Sequence, residues 1–222
     1  MEDLTLIIPA KNESASIVEV IDEIESHNLN YIIVVSKDDL STINVIRNKN
    51  NIIYQENKGF GDAIISGINH LKTKYFAIHF ADGSTDPAEL SSIFNHLINK
   101  NSDFVFGSRY LKDASSEDDT IITLIGNKIF TLLGKIFFKL NISDILYTYI
   151  LGKSEKAKSL NLKSKDFGIC VEFPIVANRK GSNITDYPCH ERKRISGKKN
   201  VNAFVDGFKI LIKMIKLYFN KL

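Results

Sequence analysis

The sequence has no tryptophan, and its 222 residues include only two cysteines, two methionines and four prolines. Cys170 and Cys189 show neither the spacing of a metal site nor the pattern of a disulfide framework. We therefore expect two reduced thiols, which favours a cytosolic location. The scarcity of proline, together with only twelve glycines, excludes collagen-like and low-complexity chains.

Long hydrophobic runs are also absent. No stretch of 18 or more residues is apolar throughout, so the sequence predicts no membrane-spanning helix. The acidic N-terminus, Met1 to Leu4, leads directly into an apolar run that is too short and wrongly flanked for a signal peptide.

What is present is typical of one packed domain, because 44% of the residues are hydrophobic and 25% are charged. The charges are unevenly distributed along the chain. Residues 1–150 hold 13 Lys and Arg against 20 Asp and Glu, a net charge of −7, whereas residues 151–222 hold 16 against 6, a net charge of +10. A basic C-terminal part predicts an anionic partner such as nucleic acid, phosphate or a membrane surface.

The first 110 residues alternate short β-rich runs with helical patterns, which indicates an α/β fold with a mostly parallel sheet. Helices are predicted behind Ser14 or Ser16 as N-cap, after the glycine-rich turn at 58–63, and from Pro87. The acidic stretch 115–120 is predicted to be a mobile loop. Strands are predicted at 4–8, 31–35, 51–54, 75–80 and 103–107.

Two later helices carry lysine stripes on otherwise apolar sequence. In residues 128–140 the polar positions recur every three or four residues, and the same design returns in residues 204–222. Such helices either lie on an anionic bilayer or pack on the sheet as ordinary amphipathic helices. The polar positions are Lys128, Thr131, Lys135 and Lys139 in the first helix and Asp206, Lys209, Lys213, Lys216 and Asn220 in the second.

The residues that follow the predicted strands are rich in carboxylates and amides. Because open parallel sheets bind ligands at the carboxyl ends of their strands, these residues are expected to converge on one crevice. The segments are Pro9-Ala10-Lys11-Asn12-Glu13, Ser36-Lys37-Asp38-Asp39, Lys58-Gly59-Phe60-Gly61-Asp62-Ala63 and Ala81-Asp82-Gly83-Ser84-Thr85-Asp86-Pro87.

These segments, followed by Gly107-Ser108-Arg109-Tyr110, Ile184-Thr185-Asp186-Tyr187-Pro188 and the basic run 192–199, resemble the family-2 glycosyltransferases of GT-A fold. Within that family the chain is most similar to polyprenyl-phosphate sugar transferases such as dolichol-phosphate mannose synthase. The resemblance implies a Rossmann-like, three-layer GT-A domain over residues 1–203 and a basic amphipathic helix over 204–222.

The resemblance also implies a nucleotide-sugar donor site. The alternative for Asn12 and Glu13 is helix capping, the glycines are also explained by loop dihedrals alone, and spacing does not choose between Asp38 and Asp39. The implied donor-binding residues are Pro9, Ala10, Asn12, Glu13, Asp38, Asp39, Lys58, Gly61, Asp62, Ala81 and Asp82.

Asp82 matches the second aspartate of the family's Asp-x-Asp metal motif, whereas Phe80 stands in place of the first. The resemblance implies that Asp82 and Ser84 hold Mg²⁺ or Mn²⁺, which neutralises the departing diphosphate. A single carboxylate suffices for Mg²⁺, which keeps several waters and takes further ligands from substrate phosphates. A turn with a helix cap is the alternative reading of this segment.

The acceptor implied by the resemblance is a polyprenyl phosphate or another lipid-linked group, bound by Arg109 and by the basic loop through Arg192, Arg194 and Lys198. An anionic phosphate acceptor needs no strong base, so catalysis rests on Asp82 and Arg109. A hydroxyl acceptor would need one, for which Asp144 and Glu172 are candidates.

Two alternative functions remain open from the sequence, which are transfer to a glycan hydroxyl and nucleotide-sugar binding without turnover. A membrane-protein partner also remains open. Nucleic-acid binding is not favoured, because the basic residues lack interleaved aromatic residues on an exposed sheet. The expected location is the cytoplasm, peripherally on the inner face of the cell membrane.

Overall fold

The computed structural model describes residues 1–197 and 203–220. The strands are β1 (Leu4–Ala10), β2 (Asn30–Val35), β3 (Ile52–Tyr54), β4 (Tyr75–Ile78), β5 (Phe104–Ser108), β6 (Ser115–Ser116), β7 (Ile150–Lys153), β8 (Ile184–Pro188) and β9 (His190–Glu191). The α-helices are α1 (Ile17–Ser26), α2 (Leu40–Val45), α3 (Phe60–His70), α4 (Leu90–Asn99), α5 (Ile121–Phe138), α6 (Ser154–Ser159), α7 (Ile169–Arg179) and α8 (Ala203–Phe219).

Seven strands form one sheet in the order β3-β2-β1-β4-β7-β5-β8. Strands β3, β2, β1 and β4 are parallel neighbours and β8 is parallel to β5, whereas β7 runs antiparallel between β4 and β5. The predicted α/β class with a mostly parallel sheet is therefore confirmed. The parallel strands end at one edge, which brings the turns after β1, β2, β3 and β4 together.

Both faces of the sheet are buried under helices, as expected for apolar parallel strands. Leu6, Ile33 and Ala77 belong to a core cluster with α1 and α4 on one face. Ile7 and Phe76 belong to a second cluster with α3, α5, α6, α7 and α8 on the other. The molecule is thus a three-layer α/β/α domain, and α8 is part of its packing.

Several elements were not predicted. Strands β7 and β8 and helix α2 have no counterpart among the predicted elements. The prediction of a mobile loop at 115–120 is wrong for Ser115–Ser116, because β6 pairs with β9. Both cysteines are buried free thiols, as expected.

Helix α5 departs most from its predicted arrangement. Asn127 and Thr131 are buried on the side that faces the protein, whereas Lys128 and Lys135 are exposed, so the polar positions do not form one solvent-facing stripe. The described residues include one helix, α5, that is long and apolar enough to cross a membrane by length and composition. The prediction of no spanning helix depends on uninterrupted apolar runs, whereas α5 meets the criterion of length and mean composition because it contains only two lysines.

Candidate functional site

The turns after β1 and β2 are joined by hydrogen bonds from main chain to side chain. The amide of Asn12, at a left-handed φ of 58°, donates to Asp39 Oδ2 at 2.7 Å, and the amide of Glu13 donates to Thr42 Oγ1 at 2.9 Å. Burial opposes ionisation of Asp39, but the bonds from Asn12 and Thr42 outweigh it and lower its pKa. Asp39 also caps α2, so it holds this part of the crevice in place.

Glu13 lies at the entrance to α1 and faces the same crevice. Its carboxylate accepts a hydrogen bond from Ser16 Oγ at 3.0 Å, so Ser16 binds Glu13 instead of capping the helix with its side chain. Burial raises the pKa of Glu13, and the nearby charge of Asp82 raises it further. The strand ends of β1, β2 and β4 therefore bring Glu13, Asp39 and Asp82 together. The sequence leaves Asp38 and Asp39 open, and the structure selects Asp39.

Asp82 sits in the turn after β4, which we call the Asp82 turn (residues 80–86). Its Oδ1 accepts from the amide and the hydroxyl of Ser84 at 3.0 and 2.7 Å. Ser84 is only 2% exposed, so its hydroxyl orients the carboxylate rather than facing the crevice as a metal ligand. Gly83 has a φ of +81°, and a Cβ atom there would meet Ile195 Cδ1 at 2.4 Å.

Residues 192–197, which we call the cover segment, lie across the Asp82 turn. The amide of Arg192 donates to Ser84 O at 2.9 Å, and the amide of Ile195 donates to Asp82 O at 2.8 Å. Arg194 binds Asp82 Oδ2 at 3.3 Å and Asp118 Oδ2 at 2.8 Å. These three side chains form the Arg194 cluster, which places a cation against the predicted metal ligand.

Arg192 points elsewhere. Its guanidinium forms a bidentate pair with Glu23 of α1 at 2.8 and 2.9 Å and also donates to Thr85 O at 2.6 Å. Arg192 therefore anchors the cover segment to α1. The prediction that Arg192 binds an acceptor phosphate is not supported by this position. Lys198 lies outside the described residues.

The glycine-rich turn after β3 approaches protein, not ligand. A Cβ on Gly59 would lie 2.1 Å from Lys165 O, and one on Gly61 would lie 2.2 Å from Ser164 O. The two carboxylate oxygens of Asp62 accept from the main-chain and side-chain amides of Asn57 at 2.8 and 3.0 Å. Donor-binding roles for Gly61 and Asp62 are therefore not supported, because their surroundings are filled by main chain.

Asp38 and Lys58 connect the turns after β2 and β3 at the surface. Their side chains pair at 2.8 Å, and this hydrogen bond lowers the pKa of Asp38 to about 2. Beside them opens a cavity of about 530 Å³, a size that suits a small ligand. The cavity does not include Glu13 or Asp82, whose crevice lies under the cover segment. Its lining includes Ser36, Lys37, Tyr54, Gln55, Asn57 and Lys58.

Arg109 is enclosed between two carboxylates in what we call the Arg109 cluster. It forms a bidentate pair with Asp144 at 2.8 and 3.1 Å and contacts Glu191 at 3.3 Å. Burial alone would lower the pKa of Arg109, but the two acidic neighbours raise it. Its side chain is 10% exposed, so direct contact with an acceptor phosphate is not supported. No local pattern marks Glu191 as a partner of Arg109, because it lies 82 residues away along the chain.

Phe80, which stands in place of the first aspartate of the metal motif, lies among aromatic side chains in the structure. The ring of Phe80 meets Tyr147 edge-on with 5.6 Å between centroids, and the guanidinium of Arg109 lies 4.6 Å from the same Tyr147 ring. Among the described residues, no group of three or more His, Cys, Asp or Glu side chains could hold a metal. At this turn Arg194 supplies the positive charge beside Asp82, the carboxylate that a divalent cation would bind.

The two candidate bases are both engaged in ion pairs. Glu172 in α7 accepts from the amides of Lys163 and Ser164 and pairs with Lys213 of α8 at 2.8 Å. These bonds, with the Lys213 charge, lower the pKa of Glu172 despite its burial. Glu172 therefore joins α7 to α8 and is not placed as a base, and Asp144 is bound to Arg109.

The chain is similar to known proteins in both sequence and fold. The family model for glycosyl transferase family 2 matches residues 5–160. A UDP-N-acetylglucosamine–dolichyl-phosphate N-acetylglucosaminyltransferase of Methanococcus voltae is 29% identical, over 97% of this chain and 96% of its own. A low-salt glycan biosynthesis hexosyltransferase of Haloferax volcanii is 22% identical, over 93% of this chain and 51% of its own.

Solved structures with the same fold include glucosyl-3-phosphoglycerate synthase from Mycobacterium tuberculosis in complex with Mg²⁺ and UDP. It superposes with a TM-score of 0.74 at 15% identity, over 96% of this chain and 78% of its own. The same enzyme has also been solved with Mn²⁺, UDP-glucose and phosphoglyceric acid. This likeness in shape confirms the predicted GT-A fold.

Proposed function

Because the chain belongs to glycosyl transferase family 2, we propose that it transfers a sugar from a nucleoside diphosphate to the phosphate of a polyprenyl lipid on the cytoplasmic face of a membrane. The relative named as acting on dolichyl phosphate, which aligns over 96% of its own length, supports this acceptor. The observation that carries the proposal is the convergence of Glu13, Asp39 and Asp82 at the carboxyl edge of β1, β2 and β4.

The donor occupies this edge in the proposal. Pro9, Ala10 and Asn12 line its β1 side with Glu13 and Asp39, and Ala81 lies beside Asp82. Asp38 and Lys58 lie at the outer end. Asp82 would hold Mg²⁺ or Mn²⁺ in place of its pairing with Arg194, and the bound cation would neutralise charge on the diphosphate. Complexes of the fold neighbour with a divalent cation and UDP support this choice.

Transfer follows from the chemistry of a phosphate acceptor. One anionic phosphate oxygen of the lipid attacks the anomeric carbon in line, the bond from that carbon to the donor's β-phosphate oxygen breaks, and the nucleoside diphosphate departs. No proton has to be removed from this acceptor. The ion pairs of Glu172 and Asp144 agree with a site that needs no general base.

Arg194, together with Lys198, is proposed to bind the acceptor phosphate. Arg194 is the better placed of the two described arginines of the cover segment, since Arg192 is held by Glu23. Arg109 acts in the proposal as a positioning residue, because it holds Asp144 and Glu191 beside the Asp82 turn. When the Arg194 guanidinium is released from Asp82 and Asp118, it presents a fork of donors that fits phosphate.

Nucleotide binding and transfer test this function together. The purified protein is titrated with UDP, GDP and CDP with and without Mn²⁺, and it is assayed with the matching nucleotide sugars and a polyprenyl phosphate or soluble glycans. Transfer to the polyprenyl phosphate is expected, and Asp82→Asn is expected to lose the Mn²⁺-dependent part of nucleotide binding. Asp22→Asn, exposed on α1, is the matched control. Transfer to glycans alone, or nucleotide binding without any transfer, would overturn the proposal.

A further inference from the structure

Helices α5 and α8 carry a continuous exposed apolar surface, which we call the apolar face. On α5, Ile129 and Leu132 are 53% and 56% exposed, and on α8, Phe208 and Ile215 are 66% and 45% exposed. These side chains recur every three or four residues, so each set lies along one side of its helix. The full face comprises Ile122, Ile125, Ile129, Leu132 and Ile136 of α5 and Phe208, Leu211, Ile215 and Phe219 of α8.

The two helices hold this face together by packing side by side. The ring of Tyr218 on α8 meets Phe137 and Phe138 of α5 with centroids 5.6 and 6.2 Å apart. Phe130 lies close to Gly207, where an added Cβ would be 3.9 Å from its ring. The opposite side of α8 is buried in the core through Ile210, Met214 and Leu217. The face is therefore a fixed surface of the folded domain.

Lysines border the apolar face along both outer margins. Lys128 and Lys135 are exposed and seven residues apart on α5, and Lys209 and Lys216 have the same spacing on α8. A separation of seven residues puts two side chains on the same side of a helix. Each lysine row lies on the side of its helix turned away from the other helix. A symmetric contact between two copies would bring these like charges together, whereas anionic lipid headgroups neutralise them.

Helix α5 is anchored to the protein by its polar side. Asn127 donates to Asp144 Oδ1, and Thr131 Oγ1 accepts from the amide of Ile145 at 3.2 Å. The amide of Leu146 donates to Asn127 Oδ1 at 3.4 Å. A helix that crossed the bilayer would lose these buried hydrogen bonds. Although α5 is apolar enough to span, its contacts favour an orientation parallel to the membrane plane.

From these contacts we infer that the apolar face of α5 and α8 docks the domain onto an anionic lipid bilayer, with both helices lying in the headgroup boundary and neither crossing it. The inference rests on the proposed function only for its purpose, which is to bring a lipid acceptor to the site. Asp118, which pairs with Arg194, lies three residues before α5, a span of at most about 11 Å. Docking therefore places the Arg194 cluster close to the lipid phosphates.

The absence of native tryptophan provides a depth probe. Ile129→Trp and Phe208→Trp, each as the sole tryptophan, are mixed with phosphatidylcholine vesicles containing one quarter phosphatidylglycerol. The tryptophan fluorescence of each variant is measured with lipids brominated near the headgroup and, separately, with lipids brominated near the end of the acyl chain. Strong quenching by bromine near the headgroup and little by bromine near the bilayer centre is expected. Equal or stronger quenching from the centre would overturn the in-plane orientation. The control Ile98→Trp, on α4 in the opposite layer, is expected to stay unquenched.

Cosedimentation with the same vesicles tests the surface itself. The double variant Ile129→Glu with Phe208→Glu is expected to bind at least about tenfold more weakly than the wild type, and Ile98→Glu is expected to bind normally. Wild-type protein that stays in solution would overturn the inference, as would equal binding by both variants. If the wild type and Ile98→Glu are dimers and the double variant is a monomer, the face would instead be assigned to a second copy of the chain.

Turnover separates this inference from the proposed function. Transfer to a short, water-soluble prenyl phosphate needs no bilayer, so it is expected to persist in the double variant. Vesicle binding without transfer to any acceptor would overturn the proposed function and leave the docking inference standing. Transfer without vesicle binding would overturn the docking inference and leave the proposed function standing.

Discussion

The Arg109 cluster and the Arg194 cluster have the same composition, an arginine between two carboxylates, but they differ in their surroundings. The carboxylate of Asp144 is fully buried and also binds Asn127, and the Arg109 side chain is 10% exposed. Arg194 is 18% exposed, and Asp82 and Asp118 are 16% and 14% exposed. One cluster lies inside the packed domain, and the other lies under a surface segment.

This difference separates a permanent ion pair from an exchangeable one. Removing a partner from a buried pair leaves an uncompensated charge, whereas water, a metal ion or a phosphate can replace a partner at the surface. The Arg109 cluster therefore supports the fold beside the site. We propose that the Arg194 cluster is the part whose cation a ligand replaces.

The largest expected effect follows from removing Arg109. Arg109→Ala leaves Asp144 buried without its partner, and the free energy of unfolding is expected to fall by about 3–5 kcal/mol. Denaturation by urea measures this loss. Arg47→Ala, which removes an exposed pair with Asp22, is the control and is expected to change stability little. Equal losses in the two variants would contradict the comparison.

The second prediction uses pH to weaken the Asp82 turn. His79 is fully buried, its Nδ1 lies 3.1 Å from Thr85 Oγ1, and burial lowers its pKa to about 3, assisted by the charge of Arg192. Because the unfolded chain binds the proton more readily, stability from neutral His79 is complete above pH 6.5 and is lost as the pH falls toward 3.

A loss of roughly 2 kcal/mol is expected from this group between about pH 6.5 and 5. Thermal unfolding across this range is compared for the wild type and His79→Asn, whose pH dependence is expected to be flatter. His27→Asn serves as the control, because His27 is exposed and directly follows α1. Identical slopes for wild type and His79→Asn would show that this histidine does not hold the turn.

The third prediction concerns the loss of the Arg194 guanidinium from the Arg194 cluster. Arg194→Ala frees Asp82 Oδ2, so Mn²⁺ is expected to bind several-fold to about tenfold more tightly in the absence of nucleotide. Transfer to a polyprenyl phosphate is expected to fall, because the acceptor phosphate loses its guanidinium. Calorimetric titration measures the first change, with Lys193→Ala as the neighbouring exposed control. Unchanged Mn²⁺ affinity would mean that Arg194 does not compete with a metal.

The smallest effect on stability is expected at the exposed pair of Asp38 and Lys58. Its N–O distance of 2.8 Å equals that of Arg109 and Asp144, yet both of its side chains are mostly exposed. Lys58→Ala is therefore expected to leave the denaturation midpoint unchanged, while the affinity for nucleotide falls several-fold through loss of a positive charge. A clear drop in midpoint would show that distance, not burial, decides the value of an ion pair here.

The sequence located most of the sheet because each buried parallel strand is a short apolar run with its own turn signals. The predicted strands at 4–8 and 31–35 correspond to β1 and β2 within two residues at either end. Strand β7 escaped prediction because its four residues become a strand only through pairing with β4 and β5. Its neighbours lie far away along the chain, so no local pattern marks it.

The candidate site divides in the same way. Glu13 and Asp82 can be placed together because they follow strands whose parallel order the sequence indicates. The choice of Asp39 over Asp38 comes only from the structure. The resemblance implies a ligand near Gly61, with loop dihedrals as the alternative explanation, whereas the main chain of Ser164 fills that space. Arg109 was assigned to a phosphate, whereas it binds carboxylates 35 and 82 residues away.

The sequence by itself determined the α/β class, the carboxylates at the strand ends and the two lysine-bearing helices, since each depends on residue type and local spacing. Only the tertiary structure decided which charges face each other and which helix sides stay exposed. Ion pairs and burial depend on atoms brought together from distant parts of the chain. For that reason two arginines that look alike in sequence hold different positions in this protein.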